Sequence, residues 1–356
     1  MKLAGHNTPR TFSIRRGPRG RVAALACGAL AASAAVALTG CSAAGRPDTA
    51  ALAAATGAPM TMTASLAASY QVLTLNDGRD LTFNQLLGIN NEGMIAGYFG
   101  SGAAGHPNKG YVLRPPFGQR DFGNENFPRS VQTQVTGLND HGVTVGFWSR
   151  QDTASMTNDN FGFYAVDGRF VNVNFPTGDN AKPPVNQLLG VNDSGIAVGF
   201  YTNGGGLNRG YEYNIRNGKF TRVAVPGTPS GVNAPSLTAA AINNHGDVAG
   251  FYDKTANLVD AFLRLHSGRF ITLAFPGATM TQAFGVNDSD EVVGTYTTGS
   301  GNAAVTHGFT WLNGRFASVG VGGASSTTIN GVNDEGDLVG FYTDAKGNTD
   351  GFVALP

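Results

Sequence analysis

The chain has 356 residues, only 13% of them charged, with 51 Gly, 22 Phe and 10 Tyr. That composition reads as many short strands joined by tight turns, because Gly supplies positive φ and aromatic rings suit pleated faces, so an all-β class is expected. Six basic residues (Lys2, Arg10, Arg15, Arg16, Arg19 and Arg21) and no acid fall in residues 1–40, which leaves 18 Lys and Arg against 24 Asp and Glu, a formal −6 for the remainder. This balance removes the electrostatic basis for nucleic-acid binding.

In chain order, the basic stretch is followed by an apolar run from Val22 to Leu38, the pattern of a signal peptide over residues 1–40. The run ends in Leu38-Thr39-Gly40-Cys41, which resembles the lipobox of bacterial lipoproteins. The resemblance implies that Cys41 is lipidated and becomes the new N-terminus, so the expected partner is a membrane reached through a lipid anchor. The expected location is the cell envelope, outside the cytoplasm. Cys27 and Cys41 are the only cysteines, so the body of the chain offers no disulfide and no Cys-ligated metal. Residues 41–69 are Ala-rich and carry almost no large apolar side chains, which suits a tether. Fully extended, such a segment reaches roughly 90 Å.

From Tyr70 to Pro356 one pattern recurs. Its first half is Gly-Ile-Asn-Asn-Glu-Gly at 88–93, repeated at 137–142, 190–195, 241–246, 285–290 and 331–336. Each copy leads into a short apolar segment ending in aromatics, so the Asn-Asx-x-Gly stretch is a turn between two strands. The second half is another hairpin with Asp-Gly, Asn-Gly or Ser-Gly between alternating runs, as in "GFYAVDGRFVNVNFP" from Gly162. Four strands per unit of about 48 residues is the period of a propeller blade. The last unit stops at "GFVALP" without a fourth strand, and Tyr70–Leu75 has the apolar pattern of the missing one. The expectation is a six-bladed β-propeller of four-stranded blades over residues 70–356, closed by pairing the N-terminal strand with the C-terminal blade.

The six units resemble the HAF family of probable extracellular repeat proteins, whose unit carries a G-I-N-D-x-G stretch and then a His-Ala-Phe-like triplet. Here the triplet stands as His307-Gly308-Phe309 and Asp260-Ala261-Phe262. The resemblance implies export and a repeat domain, and no established activity.

The acids beside the turn asparagines (Asp140, Asp193, Asp288 and Asp334) lack calcium-loop spacing and read as turn formers. Gly100–Gly105 matches G-x-G-x-x-G without a following helix and reads as a loop. No nucleophile elbow, zinc-protease or Walker motif occurs, so neither a cofactor nor a metal is expected. The spacing from the turn Asn to the Gly of strand two is seven in every unit, whereas the connections from strand two to three and from strand four onward differ in length. One end is thus a constant scaffold and the other is individualised, which places an expected ligand site on the variable loops. Candidate ligand-binding residues there are Trp148, Arg150, Lys182 and Tyr201. The expected function is a monomeric, surface-tethered binding module for a glycan or protein ligand, with a propeller hydrolase or lyase acting on extracellular glycans as the alternative.

Overall fold

The computed structural model describes residues 63–65, 70–150 and 159–356. The signal segment, Cys41, most of the expected tether and the middle of the long connection after Arg150 lie outside the described residues.

The described chain is all-β. The first sheet pairs Asn84–Ile89, Ile95–Phe99, Lys109–Leu113 and Phe122–Asn124 in sequence order. The second is Gln132–Leu138, Thr144–Ser149, Phe161–Val166 and Arg169–Val173, and the third Asn186–Val191, Ile196–Thr202, Asn208–Asn214 and Lys219–Arg222. Leu237–Ile242, Val248–Thr255, Leu258–Arg264 and Phe270–Leu273 follow as a fourth antiparallel group, then Met280–Val286, Val292–Thr298, Val305–Leu312 and Arg315–Gly320 as a fifth. One parallel pair, Val259 with Met280, joins these two groups into a larger sheet. Thr63–Ser65, within the stretch read as tether, adds to it in parallel along Arg315–Gly320. The sixth group is Ser326–Val332, Leu338–Thr343 and Thr349–Leu355, and its fourth strand is the N-terminal Gln71–Thr74, with Leu73 opposite Val353.

Each first strand carries a one-residue register slip just before its Asn turn, for example between Leu86 and Gly88 and between Val135 and Gly137. Such bulges bend a strand and re-aim the next side chain, here the turn asparagine. Neighbouring first strands also approach closely. A Cβ on Gly88 would meet the Gly137 Cα at 3.1 Å, so a larger residue there needs the neighbouring strand to shift.

Apolar clusters lie between consecutive groups and not within single sheets. Leu188 and Tyr211 of the third group pack with Val145 and Val173 of the second, and the Leu237 cluster of the fourth takes in Val198 and Val223 of the third. The series returns to its start, because Val339 and Val353 of the sixth group share a cluster with Leu86, Ile95 and Tyr111 of the first. Each fully buried large side chain in these interfaces contributes roughly 1.5–3 kcal/mol.

Candidate functional site

The two ends of the sheets differ. The Asn turns and the strand three-to-four hairpins share one end, as the Ile215 N–H bonding to the Gly195 carbonyl at 2.9 Å illustrates. The variable connections lie at the other, where Trp148 is half-buried, stacked on Phe127 at 4.4 Å, and donates its indole N–H to Asn172 Oδ1 at 3.1 Å. Arg150 is exposed, bonds Asp159 through Nε at 3.0 Å, and lies 5.0 Å over the Phe161 ring, so Trp148 and Arg150 both meet Phe161. Lys182 is exposed next to Ala181, whose N–H bonds to the Thr202 carbonyl. Tyr201 corrects the expectation. It is 2% exposed, stacked on Phe175 at 4.8 Å and capped by Arg222, so its ring is core and presents no edge to a ligand. The Phe residues that follow the fourth strands explain this, since Phe127, Phe175 and Phe275 stack on the strand-two aromatic of the following group.

At the turn end the sequence repeat becomes two cycles of hydrogen bonds. Each turn Asn accepts from its own turn, as Asn90 Oδ1 does from Met94 N–H at 2.8 Å, and donates through Nδ2 to the carbonyl of the next turn Asn. The donations run from Asn90 to Asn139 (3.1 Å), Asn192 (3.0 Å), Asn243 (3.0 Å), Asn287 (3.0 Å) and Asn333 (3.0 Å), and from Asn333 back to Asn90 (3.3 Å). One residue on, the N–H of Asn91, Asp140, Asp193, Asn244, Asp288 and Asp334 each meets the side-chain oxygen of the next member, the last returning to Asn91 at 2.9 Å. The acids therefore accept backbone donors of the neighbouring turn and link turn to turn, while the Asn side chain closes its own turn. A cavity of about 70 Å³ lies along the two cycles.

A larger cavity, about 400 Å³, opens at this end between the third and fourth groups. Its wall contains Glu212 on strand three of one group and Arg264 on strand three of the next, and these two form an ion pair with side chains about one-fifth exposed, 20% and 21%. His245 from the Asn turn and His266 from the neighbouring hairpin stand exposed at its rim, with Ser194 opposite. The Arg264 Nε is buried and has no hydrogen-bond partner. A volume in this range suits a small organic ligand, and convergent polar groups in a partly apolar wall supply orientation. Ile196, Ile242 and Leu265 provide the apolar part.

Beneath the rim lies a pair of carboxyls. Asp247 is 6% exposed; its Oδ1 accepts the His266 N–H at 2.6 Å and its Oδ2 accepts Asn243 Nδ2 at 3.1 Å. Asp290 of the next turn also receives Asn243 Nδ2, at 3.4 Å, and burial together with the Asp247 carboxyl pushes it above the usual carboxylate range. Asp290 has φ 62°, at a position that is Gly in the other five turns.

Loop-length reasoning missed this site. The signal that finds it is departure from the repeat: at the positions of Glu212 and Arg264 the other units carry Val112, Tyr164, Leu263, Thr310, Val353 and Leu113, Ala165, Tyr213, Trp311, Ala354, none charged.

No family model matches this chain, and no curated protein matches it. Solved structures similar to it include an ulvan lyase of a polysaccharide lyase family bound to a glycan, 14% identical over 76% of this chain and 78% of that one, with a TM-score of 0.42. A mutant of AofleA from Arthrobotrys oligospora is 10% identical over 80% and 86%, with a TM-score of 0.47. An Aleuria aurantia lectin in complex with a fucosylated GlcNAc is 11% identical over 76% and 91%, with a TM-score of 0.43.

Proposed function

We propose that this chain is an exported, lipid-anchored binding module of the HAF-repeat kind, in which residues 70–356 form a six-bladed β-propeller closed by the N-terminal strand and the ligand occupies the cavity between the third and fourth blades. The Asn90-to-Asn333 cycle and the inter-group clusters that return to the first sheet support the closed six-blade reading. Residues 1–40 serve as signal peptide, Cys41 carries the lipid, and the segment to residue 69 holds the module clear of the membrane.

The observation that carries the binding reading is the Glu212–Arg264 pair. Two opposite charges occupy positions at which every other unit carries uncharged side chains, and a cavity of about 400 Å³ opens beside them. A partly buried ion pair is weak support for stability, so its retention there is read as serving a ligand. The test is a glycan and peptide array probed with the full chain and with the Glu212→Val/Arg264→Leu double variant, which restores residue types found in other units. Ligands retained by the wild type and lost by the double variant support the site. Ligands retained by both, and lost instead on Arg150→Ala or Lys182→Ala, return the site to the variable loops. Incubating each retained ligand and analysing for cleavage products separates binding from turnover.

Lipidation has its own test. Cys41→Ser should abolish labelling by an alkyne fatty acid fed to the producing cells, and a labelled Ser variant would remove the anchor.

A further inference from the structure

We infer that the ligand of the cavity between the third and fourth groups carries a carboxylate, and that the Nε–H of Arg264 receives it. This rests on the reading of that cavity as the binding site.

A guanidinium has five N–H donors in a fixed plane. In Arg264 one terminal nitrogen is held by Glu212 Oε1, while the Nε–H is buried with no acceptor. Buried donors are nearly always paired, so this one marks a place where an acceptor belongs. Nearby side-chain acceptors serve other donors. Asp247 takes Asn243 Nδ2 and the His266 N–H, Asn192 Oδ1 takes the Ile196 N–H, and Asn244 Oδ1 takes the Asp193 N–H. An oxygen of a ligand in the cavity supplies the missing acceptor.

The strength of the bond favours an anion over a neutral hydroxyl. Glu212 pairs with Arg264, the other titratable groups lining the cavity are the two imidazoles, and the Asp247 and Asp290 carboxyls beneath the rim are hydrogen-bonded to Asn243. A charge-assisted N–H···O⁻ bond is about twice as strong as a neutral one. The planar guanidinium edge beside two imidazoles suits a planar carboxylate, with phosphate as the competing anion. The volume accommodates a ligand of monosaccharide size.

The experiment is calorimetric titration of the full chain with galacturonate, galactose and inorganic phosphate. Galacturonate and galactose differ only at the carboxylate. Galacturonate should bind roughly ten- to a hundredfold tighter than galactose, the range of a hydrogen bond to a charged group. The preference should vanish in Glu212→Val/Arg264→Leu, and also in Arg264→Lys, which keeps the charge for Glu212 but has no Nε–H fork. Melting temperatures accompany each titration, so that the variant that folds decides the matter. Equal affinity for the two sugars, a preference that survives in the folded variants, or tighter binding of phosphate than galacturonate would overturn the carboxylate while leaving the cavity as the site. Binding of none of the three removes the cavity reading and the inference together.

Discussion

Asp290 is the residue where the repeat yields most. Five turns place Gly at this left-handed position, and the sixth holds a carboxyl there, beside Asp247. Backbone strain of on the order of 1 kcal/mol is the expected cost. The raised Asp290 adds a pH dependence. In the native state it keeps its proton to higher pH than in the unfolded chain, so the associated stability is complete below its ordinary 3.8 and is lost as pH rises through the native value. Asp290→Gly should therefore melt higher than the wild type at neutral pH, and the gap should narrow below that ordinary value. A variant that melts lower at every pH would show that the carboxyl stabilises its turn. Asn333 poses the opposite case. Its side chain bonds Asn90 O, Asp337 Oδ2 and Asp337 N–H at 3.3, 3.0 and 2.8 Å, and all are buried or partly so. Asn333→Ala leaves those groups unpaired and should cost about 1–3 kcal/mol. Affinity should be spared, because the cavity wall draws on other turns.

The strands and hairpins could be read directly from the sequence, since Asn-Asx-x-Gly and Asp-Gly turns declare themselves locally and alternation fixes the faces between them. What could not be read was which charged residues meet. Glu212 and Arg264 are 52 residues apart, and their contact depends on how one strand three faces the next across a junction, which no local pattern encodes. Tyr201 failed for a related reason: its exposure was set by Phe175, a residue of the preceding unit. The energetics of the pair make the function reading testable without a ligand. Arg264→Leu alone strands Glu212 in the junction and should destabilise by roughly 3 kcal/mol, whereas the double variant should be neutral or more stable by about 1–4 kcal/mol. Chemical denaturation of both variants reads this. A double variant as unstable as the single one would mean that the pair holds the junction together, and would weaken the case that the charges are kept for a ligand.

At the scale of the whole molecule, the question is what the N-terminal strand contributes. Gln71–Thr74 completes the sixth group along Thr349–Leu355, with Leu75 N–H on the Gly351 carbonyl at 2.8 Å and Asn76 bonding both Asp350 and the Gly351 N–H. Tyr70 and Val72 pack on the Phe352 cluster, while Leu73 and Leu75 pack on the cluster shared by the first and sixth groups. The strand thus sits where the two ends of the chain's β-structure meet. A chain beginning at Arg79 loses four partly buried apolar side chains, a cost of about 4 kcal/mol or more, and bares the long edge of Thr349–Leu355. That edge presents unpaired N–H and C=O groups, so the shortened chain should also associate with concentration. A chain beginning at Ser69 keeps the strand and, among the described residues, loses only the pairing of Thr63–Ser65 with the fifth group, three residues at an outer edge, so its melting temperature should stay near that of the longer chain. Thermal melts at two concentrations distinguish the cases. If the chains beginning at Ser69 and Arg79 melt together and both stay monomeric, the N-terminal strand is an ornament on a body that closes without it. If the loss appears already at Ser69, the stabilising contact is the parallel strand at 63–65 instead.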